Sequence, residues 1–516
     1  MNTSLAPFAR TLPIVGATLP ARPVGLVGCA AGAELAALLA ASGVLRWALE
    51  PAAPASAASP LARHFGPTYT QQAADTALAA ALRAHHGEAL PWAFTPLAKA
   101  ACDLLVVAGD PATIAAASVN AAQRGCPLIA LPPEPCLDPA TWAVGFPITR
   151  ITSPTEAYFT PDPYAAAAIA RAILLRGTPF ARPDLEALLH HAPPYAEQSW
   201  QSVADTDHQR RMPEYPSAVS RRSSAVTFTT PLDAPALREQ TALIVGLGSL
   251  GSLIAFALGR VVRRLVVVDG ATVSTANPVR QLYRAAALGH PKATALAAEL
   301  HARLGADAPT LVTIAANLHT EAALTDLVAA EGITLAVLTT GTSADFALAR
   351  GLRAAGVPHL AARCYPRARY WETMLVPDAQ APCLGCLRGH LYTGPTPPPT
   401  PEEAARYTAP GDLQGEPATL VESGWAAACM SRLALQLLAP PGLREGWMLD
   451  LLANERTCLL GGAYALDEGR GPAYGLTRPG QVRAYGVASI AGAASERICA
   501  DCGRTWPVGV LLTDGA

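Results

Sequence analysis

Lysine is almost missing from this chain. Of 38 basic residues only Lys99 and Lys292 are lysines, so positive charge that merely needs solvation is carried by arginine, and each lysine that remains marks a place to look for a specific task. No run of roughly 18 large apolar residues is present that could span a bilayer, although 51% of the chain is hydrophobic, because alanine supplies much of that share. The opening MNTSLAPFAR has neither the positive start, the long apolar run nor the small-residue cleavage site of a secretory signal. The expectation is a soluble, cytoplasmic chain without a membrane partner. A formal charge of −2 and no dense basic run argue against a nucleic-acid footprint, leaving small molecules or proteins as partners. The 11 cysteines are odd in number, and four fall in two Cys-x-x-Cys pairs, which in a reducing compartment points to metal rather than disulfides.

The 516 residues allow about two to four domains. RPVGLVGCAAGAELAALLAASGV from Arg22 and TALIVGLGSLGSLIAFALGRVV from Thr241 both read as strand, glycine turn and helix, and each leads to a second strand ending in an acid, Glu50 and Asp269. Downstream, CDLLVVAGDPATIAAASVNAAQRGCPLIAL from Cys102 parallels TLAVLTTGTSADFALARGLRAAGVPHLAA from Thr334. The fold class expected is therefore α/β, with two Rossmann-like doubly wound units in tandem. Residues 1–180 form the first copy, 181–235 a polar, proline-punctuated linker, and 236–516 the second copy with a proline-rich crossover loop at 391–418. The second copy keeps Gly246, Gly248 and Gly251, whereas the first has Gly28, Ala30 and Ala33 at the matching places. A methyl group where a phosphate must approach the backbone is an obstacle, so the first copy reads as a degenerate twin that does not bind.

A glycine turn between strand and helix offers backbone N–H groups and the positive helix end to a phosphate. Asp269, 23 residues beyond Gly246, is placed to accept hydrogen bonds from a ribose. So far a nicotinamide dehydrogenase fits as well as a mononucleotide enzyme. Asn277, Arg280 and Gln281, followed by Lys292, separate the two, because an amide, a guanidinium and an ammonium beside the turn suit charge building on an α-phosphate and a leaving pyrophosphate. Cys383, Cys386, Cys499 and Cys502 form two two-point chelates, enough for a closed four-cysteine zinc (Zn2+) site of the structural kind; two unmetallated redox pairs are the alternative.

The residues GLGSLGS, Asp269, Asn277-x-x-Arg280-Gln281, Lys292 and the cysteine pairs resemble the superfamily of ubiquitin-activating enzymes and their bacterial sulfur-carrier relatives, the ThiF/MoeB group. The resemblance covers most of 236–516 and, more faintly, 1–180. It implies an ATP-dependent adenylation of the C-terminal carboxylate of a small ubiquitin-like or sulfur-carrier protein, with a conjugating enzyme as a further partner where the activated carboxyl is passed on. By that resemblance Gly246, Gly248, Gly251, Asp269 and Gln281 bind the nucleotide, Asn277 and Arg280 hold its phosphates, and Lys292 assists at the α-phosphate. Single-chain members pack an inactive unit against the active one, an internal pseudo-dimer that also occurs as pairs of chains, and the inactive unit lends an arginine, for which Arg10 in Phe8-Ala-Arg10 is the match.

Two departures stand against it. The family carries an Asp serving Mg2+ after the next strand, where this chain has Thr340 and Gly341; Asp345 lies one helical turn on and Asp110 comes from the first copy, and neither sits at the matching place. No cysteine lies in 391–420 to take a thioester, which leaves Cys429, Cys364 or Ser423, or no covalent step. An adenylation fold kept as a non-catalytic scaffold that holds a peptide for a modifying enzyme is the alternative function.

Overall fold

The computed structural model describes residues 23–56, 59–131, 149–151, 156–159, 163–176, 194–195, 235–342, 344–364, 370–386, 420–440, 442, 444, 449, 452, 458–462, 486–491, 496–499, 501–502, 505–507 and 510–513. Arg10, the crossover loop 391–418 and most of the expected linker lie outside them.

Two sheets of parallel core are built in chain order. The first takes β1 (Val24–Val27), α1 (Ala33–Ala41), β2 (Arg46–Leu49), α2 (Pro60–Phe65), α3 (Ala74–His86), β3 (Ala93–Pro96), β4 (Leu104–Ala108), α4 (Pro111–Arg124), β5 (Leu128–Leu131), β6 (Thr149–Ile151), β7 (Ala157–Phe159), α5 (Pro163–Leu174) and β8 (Pro194–Tyr195). The second takes β9 (Thr241–Val245), α6 (Gly251–Gly259), β10 (Arg264–Val268), α7 (Lys292–Leu304), β11 (Thr310–Ile314), α8 (Glu321–Glu331), β12 (Leu335–Leu338), α9 (Ala344–Ala354), β13 (His359–Cys364), β14 (Tyr370–Val376), α10 (Leu420–Leu438), β15 (Cys458–Gly462), β16 (Gly486–Ala491) and β19 (Val510–Thr513), while β17 (Glu496–Ile498) and β18 (Thr505–Pro507) form a separate hairpin.

Strand order repeats between them. The first sheet begins β3-β2-β1-β4-β5 and the second β11-β10-β9-β12-β13, so each reverses direction once, between β1 and β4 and between β9 and β12. Both pairs are parallel and in matching register, with Val27 opposite Val107 and Val245 opposite Leu338. Ligands of such sheets bind in the crevice at the carboxyl ends of strands flanking that reversal. The strand sequences LAVL, LLVVA and, after Thr241, ALIV are uninterrupted apolar runs, fully buried, as strands covered by helices on both faces must be.

α10 explains how the copies meet. It packs on α6 and β13 of its own unit and on α1 and α5 of the first. One apolar core runs through the contact, joining Leu35, Leu38 and Ile169 to Ile254, Leu258 and Met430. α1, with sequence AELAALLAA, is buried at eight of its nine positions, the pattern of a helix enclosed on every side. No described helix is long and apolar enough to cross a membrane.

Candidate functional site

The turn after β9 exists because three positions tolerate no more, or need no more, than hydrogen. Gly246 takes φ 91°, and a Cβ there would stand 2.8 Å from the carbonyl carbon of Thr339, which follows β12. A Cβ on Gly251 would stand 1.9 Å from the Gly246 oxygen and 2.6 Å from Thr339 Oγ1. That hydroxyl donates to the Gly246 carbonyl at 2.6 Å, so the turn is stitched to the neighbouring strand. At Gly248, by contrast, an added Cβ meets nothing within 4 Å. The middle glycine faces open space while its two companions are packed shut.

Asp269, one residue past β10, is pinned beside the turn. Its Oδ2 accepts from the Leu247 N–H at 2.7 Å and its Oδ1 from the Ala271 N–H at 2.8 Å, and each oxygen retains a second acceptor site. The segment from Asn277 folds back over the same turn. Asn277 Oδ1 accepts from the Ser274 N–H at 2.8 Å, closing a local turn. The Leu282 N–H donates to Ser252 Oγ at 3.3 Å, and the Tyr283 hydroxyl donates to the Leu247 carbonyl at 2.8 Å. Burial, with the Asp269 charge beside it, holds the Tyr283 pKa well above its ordinary value, so this phenol remains a donor. Asn277, Arg280 and Gln281 are all buried, and Gln281 Oε1 has no hydrogen-bond partner among the described residues.

Lys292 is the first residue of α7, half-buried, and its N–H donates to the Ala271 carbonyl at 2.9 Å. The backbone thus holds Lys292 two residues from Asp269, through a short antiparallel pairing of Val273 with Gly289 and His290. Glycine turn, acid, Asn277–Gln281 segment and lysine form one neighbourhood. Ser252, Tyr283 and Thr339, which the motif reading did not single out, supply its fastenings. The hydroxyls at 252 and 283 stand inside or beside the quoted motifs, so an account of where the turn's carbonyls go was the signal available.

The twin's turn is occupied by its own chain. Gly28 (φ 77°) repeats the tight approach, with an added Cβ falling 1.9 Å from the Ala108 oxygen. Ala30, the counterpart of Gly248, accepts from the Leu61 N–H at 3.1 Å, so the start of α2, capped by the Ser59 hydroxyl at 3.3 Å from the Ala62 nitrogen, is fastened to this turn.

Thr340 donates to Asp345 Oδ1 at 2.6 Å, and Asp345 Oδ2 pairs with Arg363 at 3.3 Å. Asp345 is fully buried, and burial raises its pKa, with the Arg363 charge and the Thr340 hydrogen bond opposing. With its carboxylate fully buried and paired with Arg363, this position does not fit a magnesium ligand. Asp110 caps its own helix, accepting from the Thr113 N–H at 2.8 Å. Ser423 is buried within α10, and Cys364 ends β13 half-buried; the Cys429 side chain lies outside the described ones.

The four cysteines converge. Cys383 Sγ lies 3.6 Å from both Cys386 Sγ and Cys499 Sγ, Cys386 Sγ lies 3.4 Å from Cys502 Sγ, and all four sulfurs fall within 4.8 Å of one another. A tetrahedron with bonds of about 2.3 Å has edges of about 3.8 Å, so this donor set fits zinc with no open position. A Cβ on Gly385 would stand 1.9 Å from Asp501 Oδ2, and Asp501 in turn pairs with Arg350 of α9 at 3.1 Å. The cysteine cluster is thereby clamped to α9, whose first turn carries Asp345.

The open glycine turn, the pinned acid and the lysine lie together at the reversal of a doubly wound sheet, the place where such sheets bind ligands. Residues 221–434 match the model of the ThiF family. No curated protein matches the chain. Among solved structures, E. coli MccB with AMPCPP and MccA is 15% identical over 40% of this chain and 57% of that one, with a TM-score of 0.31. E. coli MccB with ATP is 15% identical over 40% and 57% of the two chains, with a TM-score of 0.32. PaaA is 23% identical over 28% and 42%, with a TM-score of 0.24. The chain therefore spans less than two thirds of each of these structures.

The contrast between the glycines is testable. Gly251→Ala should cost about 1–3 kcal/mol in urea unfolding through overpacking, whereas Gly248→Ala should leave stability within about 0.5 kcal/mol and weaken ATP binding by at least about tenfold, or 1.4 kcal/mol. Unaltered ATP affinity in Gly248→Ala would contradict the assignment of that open space. For the cysteines, elemental analysis should return one zinc per chain, and chelation should lower the thermal midpoint, since such a site contributes on the order of 10 kcal/mol to folding. A metal-free protein of equal stability would remove zinc from the account.

Proposed function

We propose that this chain uses ATP to adenylate the C-terminal carboxylate of a small peptide or carrier protein. The observation that carries this is a glycine turn open at Gly248, bonded by Leu282 and Tyr283 at the end of the segment from Asn277, with Lys292 held by the backbone beside Asp269, in a stretch that matches the ThiF family model. A carboxylate oxygen attacks the α-phosphorus, the bond from that phosphorus to the oxygen bridging toward the β-phosphate breaks, and pyrophosphate leaves with the electron pair. Gly246, Gly248 and Gly251 present the backbone to the phosphates, Asp269 accepts from the ribose, and Gln281 offers a further acceptor. Asn277, Arg280 and Lys292 stabilise charge gathering on the α-phosphate and the leaving group, the kind of preorganised contribution that weighs most in such transfers. Arg10 from the first unit is a further cation for that role.

Magnesium receives no carboxylate from this chain at the expected place, because Thr340 and Gly341 stand there and Asp345, one helical turn on, is buried against Arg363. The same observation favours the second reading, a scaffold of this fold that holds a peptide without turning over ATP. A ubiquitin-like protein, a sulfur carrier or a short peptide are substrate classes consistent with a terminal carboxylate. Transfer to a conjugating enzyme is a further step of the same proposal.

ATP–pyrophosphate exchange in the presence of the carboxylate partner should be lost in Lys292→Ala, falling by at least about 100-fold, or 2.7 kcal/mol of barrier. Full exchange in that variant would exclude Lys292 from the chemistry. ATP binding without exchange in the parent protein would favour the scaffold.

A further inference from the structure

The segment that carries Asn277, Arg280 and Gln281 is held from the other unit. Val279, fully buried, closes a cluster with Leu45 and Leu90, and Trp92 packs against them. Those three partners all come from the first copy, Leu45 from the turn before β2, Leu90 and Trp92 from the turn between α3 and β3. The socket is itself rigid: Trp92 Nε1 donates to the Gly87 carbonyl at 2.8 Å, and its ring stacks on Phe94 at 5.8 Å and 17°. Beside it the buried His86 ring faces the Pro278 carbonyl, and burial holds that histidine down to about 4.

A second fastening grips the far end. Arg303 of α7, enclosed between the units, donates to the Leu282 carbonyl at 3.4 Å, to His85 Nδ1 at 3.1 Å and to the His64 carbonyl. Burial keeps His85 neutral, well below its ordinary pKa, so the imidazole can accept from the guanidinium. Glu299 balances the charge, pairing with Arg303 at 3.5 Å and with Arg284 at 3.0 Å. α7 also begins with Lys292. Both ends of the segment, and the helix bearing the lysine, are therefore tied to the copy whose own turn is closed.

We propose that the first unit is a positioning element: its Leu45, Leu90 and Trp92 socket, by gripping Val279, fixes the backbone of 277–283 and so the placing of Arg280 and Asn277 against the glycine turn. The link to nucleotide rests on the adenylation reading, whereas the grip itself does not. A side chain enclosed on all sides by rigid partners has one position, and truncating a partner frees it.

The test uses the full-length chain and substitutes the first unit, far in sequence from the site. Leu90→Ala should speed amide exchange across 277–283 by at least about tenfold in the nucleotide-free protein while β9 keeps its protection, because local opening rather than global unfolding governs it. The same variant should weaken ATP by about tenfold, or 1.4 kcal/mol, yet leave adenosine, which lacks phosphates, unchanged. Leu90→Met should restore both. Unchanged exchange at 277–283, or equal loss for ATP and adenosine, would overturn the proposal. Faster exchange in a protein whose parent form binds no ATP would uphold the grip and overturn the adenylation reading instead.

Discussion

Backbone must pass against backbone where β9 turns into α6, and that single constraint organises the second unit. Gly246 and Gly251 are there because the carbonyl of Gly246 and the residue Thr339 leave room for hydrogen alone. Once that contact is made, the end of β12 is fixed against the turn, α6 starts at the sheet's reversal, and Leu247 is placed to bond both Asp269 and Tyr283. The open position at Gly248 is a consequence of closing the other two.

The first copy shows the same constraint at a turn without the open glycine. Gly28 keeps the close approach, here to Ala108, while Ala30 takes the place of the open glycine and its carbonyl is bonded by Leu61 at the start of the helix Pro60–Phe65. The turn thus serves packing in both copies. On the proposed account the copy is still employed, as a support for the loop beside its sister's turn.

Features written in local spacing were legible in the sequence. The doubly wound repeat could be read from buried strands, glycine turns and the closing acids, and the four cysteines from two three-residue steps that a metal site requires. Features made by contacts distant in the chain were not. Val279 looks like an ordinary apolar residue until Leu45 and Leu90 close on it, and Arg303 reads as one more surface arginine although it is buried against His64 and His85. Thr340 was legible as a departure, but its tie to Asp345 and Arg363, which removes a carboxylate from any metal role, depends on a helix start and a strand end meeting. Neither the fastening of the turn by Thr339 nor that by Tyr283 has a periodic signature.

The central claim is that two copies of one fold are present and that only the second is open to a nucleotide. Calorimetric titration of the whole chain with ATP tests it most directly. The account predicts one ATP per chain, lost on blocking the turn at Gly248 and indifferent to changes at Ala30. Two equivalents, or binding that depends on Ala30, would contradict it.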